Sequence, residues 1–172
     1  TTVICTDKTG TLTQNQMRVY ALQANRDDVT IDALLKEGIA VNSTASLDLS
    51  NPEKPVALGN PTEGALLLWL KDNQVSYQEL REAVQVVDEL PFTTERKYMA
   101  VLVNSALMED KQILYVKGAP EIVYGLCKQT DCNVPKEEIE HQLEGYQEQA
   151  MRTLGFAYQI VDGKAEVFKE GR

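Results

Sequence analysis

A carboxylate near the start of the chain stands in a loop that is suited to meet a phosphate group. Residues 2–6 are β-branched or apolar and predict a short buried strand. Asp7, Lys8 and Thr9 follow that strand directly, ahead of a glycine at which the backbone can turn. The alternative is an ordinary surface turn, because Asp and Gly are common turn residues and a lone Asp-Lys pair is usually solvated. These residues by themselves favour the turn.

A second carboxylate, Glu63, belongs to a strong helix-start pattern. Asn60 is suited to be the N-cap, and Pro61 stands at the first helical position. A glutamate three residues after the N-cap can close a capping box. The same carboxylate, held at a helix start, is also an acceptor prepared for an exocyclic amine, and the two roles are compatible.

An aromatic ring, Phe92, lies in the stretch 90–99 together with Lys97 and Met99. On the burial statistics of aromatic residues, Phe92 is more often a core residue than an exposed stacking surface. The residue type alone therefore favours a core position for this ring.

Lys117 ends a predicted strand, and Gly118, Ala119 and Pro120 follow it. The glycine permits a close approach of the backbone and the proline can open a helix, so the lysine would stand at the mouth of a cleft. A cation there suits a nucleotide, whereas the alternative is a lysine extended along the surface at a plain strand-to-helix turn. By its residue type alone, Arg152 indicates an ordinary surface arginine.

The secondary structure that must position these residues follows from the sequence pattern. Apolar residues at helical spacing predict a helix over 31–41, capped by Asp28 or Thr30. Strands that neighbour one another in sequence, with helices before and after, predict an α+β fold with a mainly antiparallel sheet. Further helices are predicted over 60–70, 76–84 and 135–150, and a short one begins at 119. Strands are predicted over 86–92, 97–103, 112–117 and 153–161. The pattern also predicts an extended piece over 17–22, a loop over 42–60 and a connection between strands over 104–111.

Composition restricts the possible functions. The 172 residues carry 17 basic and 26 acidic side chains, a net charge of −9, which argues against a nucleic-acid partner. The longest strongly apolar run, 65–70, is far shorter than the roughly 20 residues that cross a bilayer, so no membrane insertion by this chain is expected. A secretory signal is not expected either. The odd set of Cys5, Cys127 and Cys132 indicates free thiols in a reducing compartment.

The string DKTGTLT, which begins at Asp7, is identical to the phosphorylation signature of the P-type ATPases. This match favours a functional loop over an ordinary surface turn. The sequence resembles the type II cation-transporting pumps, and the calcium pumps in particular. The heavy-metal class has a histidine-based adenine site, and no histidine lies near Glu63 or Phe92. Four further segments match the family in its order and extend the resemblance over nearly the whole chain: 59–67, 90–99, 117–121 and 151–157.

For the first loop, the resemblance implies covalent catalysis by a carboxylate. Asp7 would attack the γ-phosphate of ATP and form an aspartyl-phosphate, which allows a transport cycle to be coupled to hydrolysis. Lys8 would support the charged loop. Thr9 would position the phosphoryl group and, with Asp7, bind Mg²⁺. ATP and Mg²⁺ are therefore the expected cofactors.

For the other segments, the resemblance implies a nucleotide site. In the family a glutamate contacts the adenine, an aromatic ring stacks on it, and an arginine reaches the phosphates. Thr94 stands where the sarcoplasmic-reticulum-type calcium pumps have an arginine, and Arg96 or Lys97 could replace that phosphate contact. The predicted nucleotide-binding residues are Glu63, Phe92, Lys97, Met99, Lys117, Gly118, Ala119, Arg152 and Leu154.

The resemblance also implies how the chain is divided. Residues 1–15 would form the first strand and phosphorylation loop of a phosphorylation domain, 16–160 a nucleotide-binding domain with a twisted sheet flanked by helices, and 161–172 a return linker. Its partners would be ATP and the actuator, phosphorylation and transmembrane domains of a pump, at the cytoplasmic face of a membrane.

Two functions from other classes remain as alternatives. One is a stand-alone nucleotide-binding module, which would not need an intact loop around Asp7. The other is a soluble phosphatase with an aspartate nucleophile. Such a phosphatase needs a second aspartate two residues after the nucleophile, where this sequence has Thr9.

Overall fold

In the computed structural model, four consecutive strands form an antiparallel sheet with helices packed against it. The structure describes residues 17–24, 27–51, 54–128 and 135–162. The predicted strand at 2–6, the loop with Asp7, Lys8 and Thr9, and the part of the predicted linker that follows Asp162 lie outside these residues.

The described residues confirm the predicted α+β class. The strands of the main sheet lie in the order β3-β4-β5-β6, and every neighbouring pair is antiparallel. The helices are α1 (Val29–Val41), α2 (Pro61–Asp72), α3 (Tyr77–Glu82), α4 (Pro120–Leu126) and α5 (Lys136–Glu148). The strands are β1 (Ser46–Asp48), β2 (Val56–Leu58), β3 (Gln85–Leu90), β4 (Tyr98–Asn104), β5 (Lys111–Gly118) and β6 (Gly155–Asp162).

One face of the main sheet packs against α1. Alternate residues of a strand point to the same face, so Val101 and Val103 of β4 lie beside Ile113 and Tyr115 of β5. These side chains and Leu34 of α1 form one buried cluster. A second buried cluster joins α1 to α2 and α3, and α1 is therefore the element common to both parts of the core.

The two predicted helix starts are confirmed by their caps. The Asp28 carboxylate accepts hydrogen bonds from the amides of Thr30 and Ile31 at 2.9 and 3.2 Å, so Asp28 rather than Thr30 caps α1. The Asn60 side chain accepts from the amide of Thr62 at 2.9 Å and caps α2. Each cap satisfies amides that have no partner within the helix.

The predicted loop over 42–60 is wrong in part, because it contains a small antiparallel hairpin. Strands β1 and β2 pair with Leu47 opposite Ala57. Each strand has only three residues, too few for an alternating pattern to be visible among the Ser, Asn and Pro residues of this segment. The hairpin lies close on α2, since the position of a side chain on Gly64 is already occupied by Ala57.

The extended piece predicted over 17–22 does not pair as a strand. Residues 17–23 have no regular secondary structure, and Val19 packs against the α1–α2 part of the core. The ring of Tyr20 meets that of Tyr146 of α5 edge-on, with the centroids 6.3 Å apart. Tertiary contacts, rather than a strand partner, hold this segment.

Within the described part of the chain, no helix combines the length and the apolar character that crossing a membrane requires.

Two helices end in a residue other than glycine with a left-handed backbone. Gln74, after α2, has φ 61°, and Ala150, after α5, has φ 58°. After α2 the amide of Val75 donates to the carbonyl of Leu70 at 2.9 Å, and the end of α5 repeats this pattern. This is a Schellman motif, in which glycine usually occupies the left-handed position because it has no Cβ.

Replacing either residue by glycine is expected to stabilise the chain. The left-handed conformation costs a residue with a Cβ roughly 1–2 kcal/mol, part of which the greater freedom of glycine in the unfolded chain offsets. Gln74→Gly and Ala150→Gly should each raise the free energy of unfolding by about 0.5–1 kcal/mol. Urea denaturation measures the change. Gln74→Ala, which keeps the Cβ, should not raise the free energy of unfolding. A loss of stability in both glycine variants would show that the left-handed backbone is not strained at these positions.

Candidate functional site

The predicted nucleotide-site residues converge at one end of the main sheet. Tyr98 at the start of β4 pairs with Gly118 at the end of β5, and Gly118 pairs with Gly155 at the start of β6. This register brings Lys117 and Met99 next to each other on one face, because they are directly opposite residues. The N-terminal turn of α2 meets the same end of the sheet through Glu63.

A buried ion pair is the centre of the site. Lys117 Nζ donates to Glu63 Oε1 at 2.8 Å and to the carbonyl oxygen of Asn42 at 2.5 Å. The two charged side chains are only 5% and 8% exposed. Lys117 is buried because it lies on the same face of β5 as the core residues Ile113 and Tyr115. The alternative of a surface lysine at this position is wrong.

The second oxygen of Glu63 is bound by the segment that follows α1. Glu63 Oε2 accepts from the amide and the hydroxyl of Thr44, both at 2.8 Å, and from the amide of Ala45 at 3.2 Å. The hydroxyl of Ser43 adds a contact at 3.3 Å. The carboxylate is thus directed across the site to residues 43–45 instead of back to the amide of Asn60, as a capping box would require.

Burial and the neighbouring charges together shift the pKa values of both groups. Burial alone would raise the pKa of Glu63, but the hydrogen bond and charge of Lys117, with the donors of Thr44, outweigh it and hold that pKa below its ordinary value. Burial lowers the pKa of Lys117, Glu63 opposes this, and the charge of Arg81 adds to the lowering. Shifted pKa values of buried charged groups occur at functional sites and in structural ion pairs.

The residues opposite Gly118 leave no room for a side chain at that position. A Cβ there would collide with the carbonyl oxygen of Lys97 and lie 2.5 Å from the Cβ of Tyr98. Lys97 itself has φ 59°, and its carbonyl accepts from the amide of Ala119 at 2.9 Å. The start of β4 and the end of β5 are therefore locked together at the edge of the site.

The side chain of Phe92 is exposed to solvent, so the core position predicted from its residue type is wrong. It follows β3 at the end of the sheet that carries the site and is 57% exposed. The turn after it is closed by the amide of Lys97, which donates to the carbonyl of Thr93 at 2.8 Å. The guanidinium of Arg96 donates to the carbonyl of Pro91 at 2.8 Å, so Arg96 holds its own turn.

The two predicted site residues shortly before β6, Arg152 and Leu154, occupy different environments. Arg152 is exposed, and its Nη1 lies 3.5 Å from the hydroxyl of Thr62, which places it near the start of α2. Leu154 is half-buried and packs against the core cluster that contains Leu67. Of this pair, Arg152 has the freedom to meet a ligand in solvent.

Two parts of the site were missed in the sequence. The segment 42–45 supplies most partners of Glu63, and Arg81 of α3 binds that segment from behind. The only signal for the first was a polar run, Asn-Ser-Thr, directly after an apolar helix. Arg81 belongs to no motif, and only the packing of α3 on α1 reveals it.

The predicted Mg²⁺ ligands, Asp7 and Thr9, lie outside the described residues. Within those residues, no group of three or more His, Cys, Asp or Glu side chains is arranged to hold a metal ion. The described part of the site is thus built from an ion pair, backbone groups and one open aromatic ring.

Comparison with known proteins gives consistent matches. Residues 30–170 match the family model described as the P-type ATPase cytoplasmic domain N. The chain is 34% identical over 180 residues to calcium-transporting ATPase 1 of Lactococcus lactis, an alignment that covers 97% of this chain and 20% of that protein. It is 34% identical over 177 residues to calcium-transporting ATPase PAT1 of Dictyostelium discoideum, covering 91% and 16%.

A third relative is the probable cation-transporting P-type ATPase of Mycoplasma genitalium. The identity is 33% over 159 residues, which cover 92% of this chain and 16% of that protein. The chain therefore spans about a fifth or less of the length of these relatives.

The ion pair predicts how stability depends on pH. The folded pKa of Glu63 lies below its ordinary value of 4.5, so the folded state binds this proton less readily than the unfolded state. The resulting stabilisation is fully present above about pH 4.5 and is lost as the pH falls through the folded pKa. Glu63→Gln should remove this part of the acid dependence, as measured by urea denaturation between pH 7 and pH 3.

At pH 7 the same variant is expected to lose about 3–5 kcal/mol of stability, because the charge of Lys117 is left buried without its partner. The double variant Glu63→Gln, Lys117→Met should lose less than Glu63→Gln alone. Glu82→Gln, at an exposed position of α3, is the matched control and should leave the pH profile unchanged. Equal acid dependence in the wild type and Glu63→Gln would show that the pair does not govern it.

Proposed function

Because the chain belongs to the family of P-type ATPase cytoplasmic N domains, we propose that it is the ATP-binding domain of a cation-transporting pump. The observation that carries this proposal is the buried pair of Glu63 and Lys117 at the same end of the sheet as the exposed ring of Phe92. All three residues match the family positions that meet the nucleotide. The named functions of the relatives suggest calcium as the transported ion.

Glu63 has one oxygen available for an adenine. Its Oε2 is surrounded by donors from residues 43–45, whereas its Oε1 has Lys117 as its donor. A carboxylate offers about four acceptor sites on its two oxygens, so Oε1 retains capacity for the exocyclic amine of adenine. An acceptor held in place before binding loses little entropy when the ligand arrives.

Stacking supplies the apolar part of recognition. The ring of Phe92 is open to solvent, and an adenine that covers it would remove apolar surface of both partners from water. Met99 and Phe156, which flank Lys117 on the neighbouring strands, offer further apolar surface at the same end of the sheet. Lys97 and Arg152, both exposed, would face the phosphates.

Catalysis belongs to the whole pump in this proposal. Asp7 would be the nucleophile that forms the aspartyl-phosphate, with Lys8 supporting the loop. The carboxylate of Asp7 and the backbone carbonyl of Thr9 are the hard oxygen ligands that Mg²⁺ prefers, and the bound ion would neutralise charge on the transferred phosphoryl group. We prefer this to the soluble phosphatase and the stand-alone module because the relatives are named as transporting ATPases.

Removal of the stacking ring should weaken ATP binding. Phe92→Ala is expected to cost about 1–3 kcal/mol of binding free energy, by analogy with base–aromatic stacking in nucleic-acid sites. Calorimetric titration with ATP measures the change, and circular dichroism checks the fold. Leu107→Ala, at an exposed apolar position in the β4–β5 connection, should leave the affinity unchanged. Unaltered affinity in a folded Phe92→Ala variant would exclude the stacking role.

The 172-residue chain alone is expected to bind ATP without turning it over. In-line transfer requires the Asp7 carboxylate within about 3–3.5 Å of the γ-phosphorus, and in the family a larger phosphorylation domain provides that geometry. The proposed adenine site lies within residues 42–156, so we expect a dissociation constant of roughly 0.1–1 mM with little dependence on Mg²⁺.

Calorimetry with and without Mg²⁺, beside a radiolabelled-ATP assay on the wild type and Asp7→Asn, tests both parts of this expectation. Steady hydrolysis that Asp7→Asn abolishes would show that the chain is a complete catalytic unit.

A further inference from the structure

The segment between α1 and β1 is held from behind by a single arginine. Arg81 Nε donates to the carbonyl of Ala40 at 2.8 Å, and its Nη2 donates to the carbonyls of Ser43 and Ala45 at 2.9 and 3.0 Å. One guanidinium thus bonds to three backbone oxygens at the end of α1 and along the segment. A lysine cannot reproduce this fork of donors.

The amides of the same segment face the opposite side, toward the site. The amides of Thr44 and Ala45 both donate to Glu63 Oε2. Ala45 therefore gives its carbonyl to Arg81 and its amide to Glu63. The cation of Arg81 on one side and the anion of Glu63 on the other bind the same peptide segment. The orientation of this segment determines which oxygen of Glu63 accepts hydrogen bonds from its amides.

Arg81 is itself held in place. Its guanidinium carbon lies 4.8 Å from the centroid of the Tyr77 ring, a cation–π contact within α3. The hydroxyl of Tyr77 accepts from the amide of Leu47, so α3 binds the chain on both sides of Ala45. This geometry differs from that of a solvated surface arginine, which has many accessible rotamers.

The segment also reaches the lysine of the ion pair. The carbonyl of Asn42 accepts from Lys117 Nζ, and the Asn42 side chain is buried and donates to the carbonyl of Tyr115 at 3.4 Å. Movement of residues 42–45 would therefore disturb both members of the pair at once. The contacts of Lys117 and Glu63 with this segment are the path by which a change at Arg81 reaches the site.

We infer that Arg81 is a positioning residue for the nucleotide site. By binding the carbonyls of Ser43 and Ala45, it presents the amides that fill Oε2 of Glu63 and leaves Oε1 for Lys117 and the ligand. The inference rests on the proposed function, in which Glu63 contacts the adenine. Arg81 touches neither the nucleotide nor the reacting atoms in this account, and it acts through the segment alone.

Hydrogen exchange tests the contact without any ligand. In Arg81→Ala the amides of Thr44 and Ala45 should exchange at least about tenfold faster, whereas sheet amides such as that of Val103 keep their rates. General destabilisation would instead accelerate the exchange of the segment amides and of the sheet amides alike. Arg18→Ala, which removes an exposed arginine paired with Asp72, is the matched control and should change neither set.

ATP affinity tests the consequence through a double-mutant cycle with Glu63→Ala. Arg81→Ala alone should weaken binding by about 3- to 30-fold, and it should cause no further loss when Glu63 is already replaced. Arg81→Lys should lie between the wild type and Arg81→Ala in both tests, and it serves as the test variant if Arg81→Ala does not fold.

The outcomes separate the inference from the proposed function. If the wild type binds ATP and Arg81→Ala binds it with equal affinity, the positioning role alone is overturned. The same holds if Arg81→Ala weakens ATP binding equally in the wild type and in the Glu63→Ala variant. A wild type without ATP binding would overturn the proposed function and the positioning role with it.

Discussion

The buried pair of Glu63 and Lys117 is the interaction on which the rest of the site depends. Removing a carboxylate and an ammonium from water costs several kcal/mol per ion, about as much as their mutual attraction returns. Such a pair persists only where the remaining lone pairs and protons also find partners. Residues 42–45 provide these partners, and Arg81 keeps that segment oriented. The hairpin, α1 and α3 can be seen as the support of one charged contact.

The position of the pair follows from how strands and helices end. Lys117 enters the core because alternation along β5 directs it to the same face as Ile113, and only the end of the strand brings it near a polar partner. Glu63 lies in the first turn of α2, where the helix dipole favours a negative charge. The close approach at Gly118 fixes the distance between the start of β4 and the end of β5, which carries Lys117. A sheet end and a helix start therefore meet with opposite charges.

In the proposed function, this arrangement divides nucleotide recognition into a rigid polar part and an exposed apolar part. The pair is almost completely buried and bonded, whereas Phe92 stands 57% exposed at the end of the sheet. A ligand would complete the polar part with one hydrogen bond and cover the aromatic ring. Most of a triphosphate would remain in water near Lys97 and Arg152, which favours a modest affinity. Weak binding would suit the proposed function, in which the domain releases nucleotide in each cycle of a larger pump.

The sequence by itself determined the class of the fold, the caps at Asp28 and Asn60, the main strands and the family resemblance, because these depend on local spacing and on contiguous motifs. It also singled out both members of the ion pair, although not that they bind each other. Only the tertiary structure decided that the loop over 42–60 holds a hairpin, that Phe92 is exposed, and that Glu63 turns to Thr44 instead of closing a capping box. Arg81 shows the reason most clearly. Its three acceptors lie about 40 positions earlier in the chain, and no local pattern records a bond between a side chain and such distant backbone. Burial and hydrogen-bond partners are properties of the packed chain, so they appear only when the helices and the sheet have met.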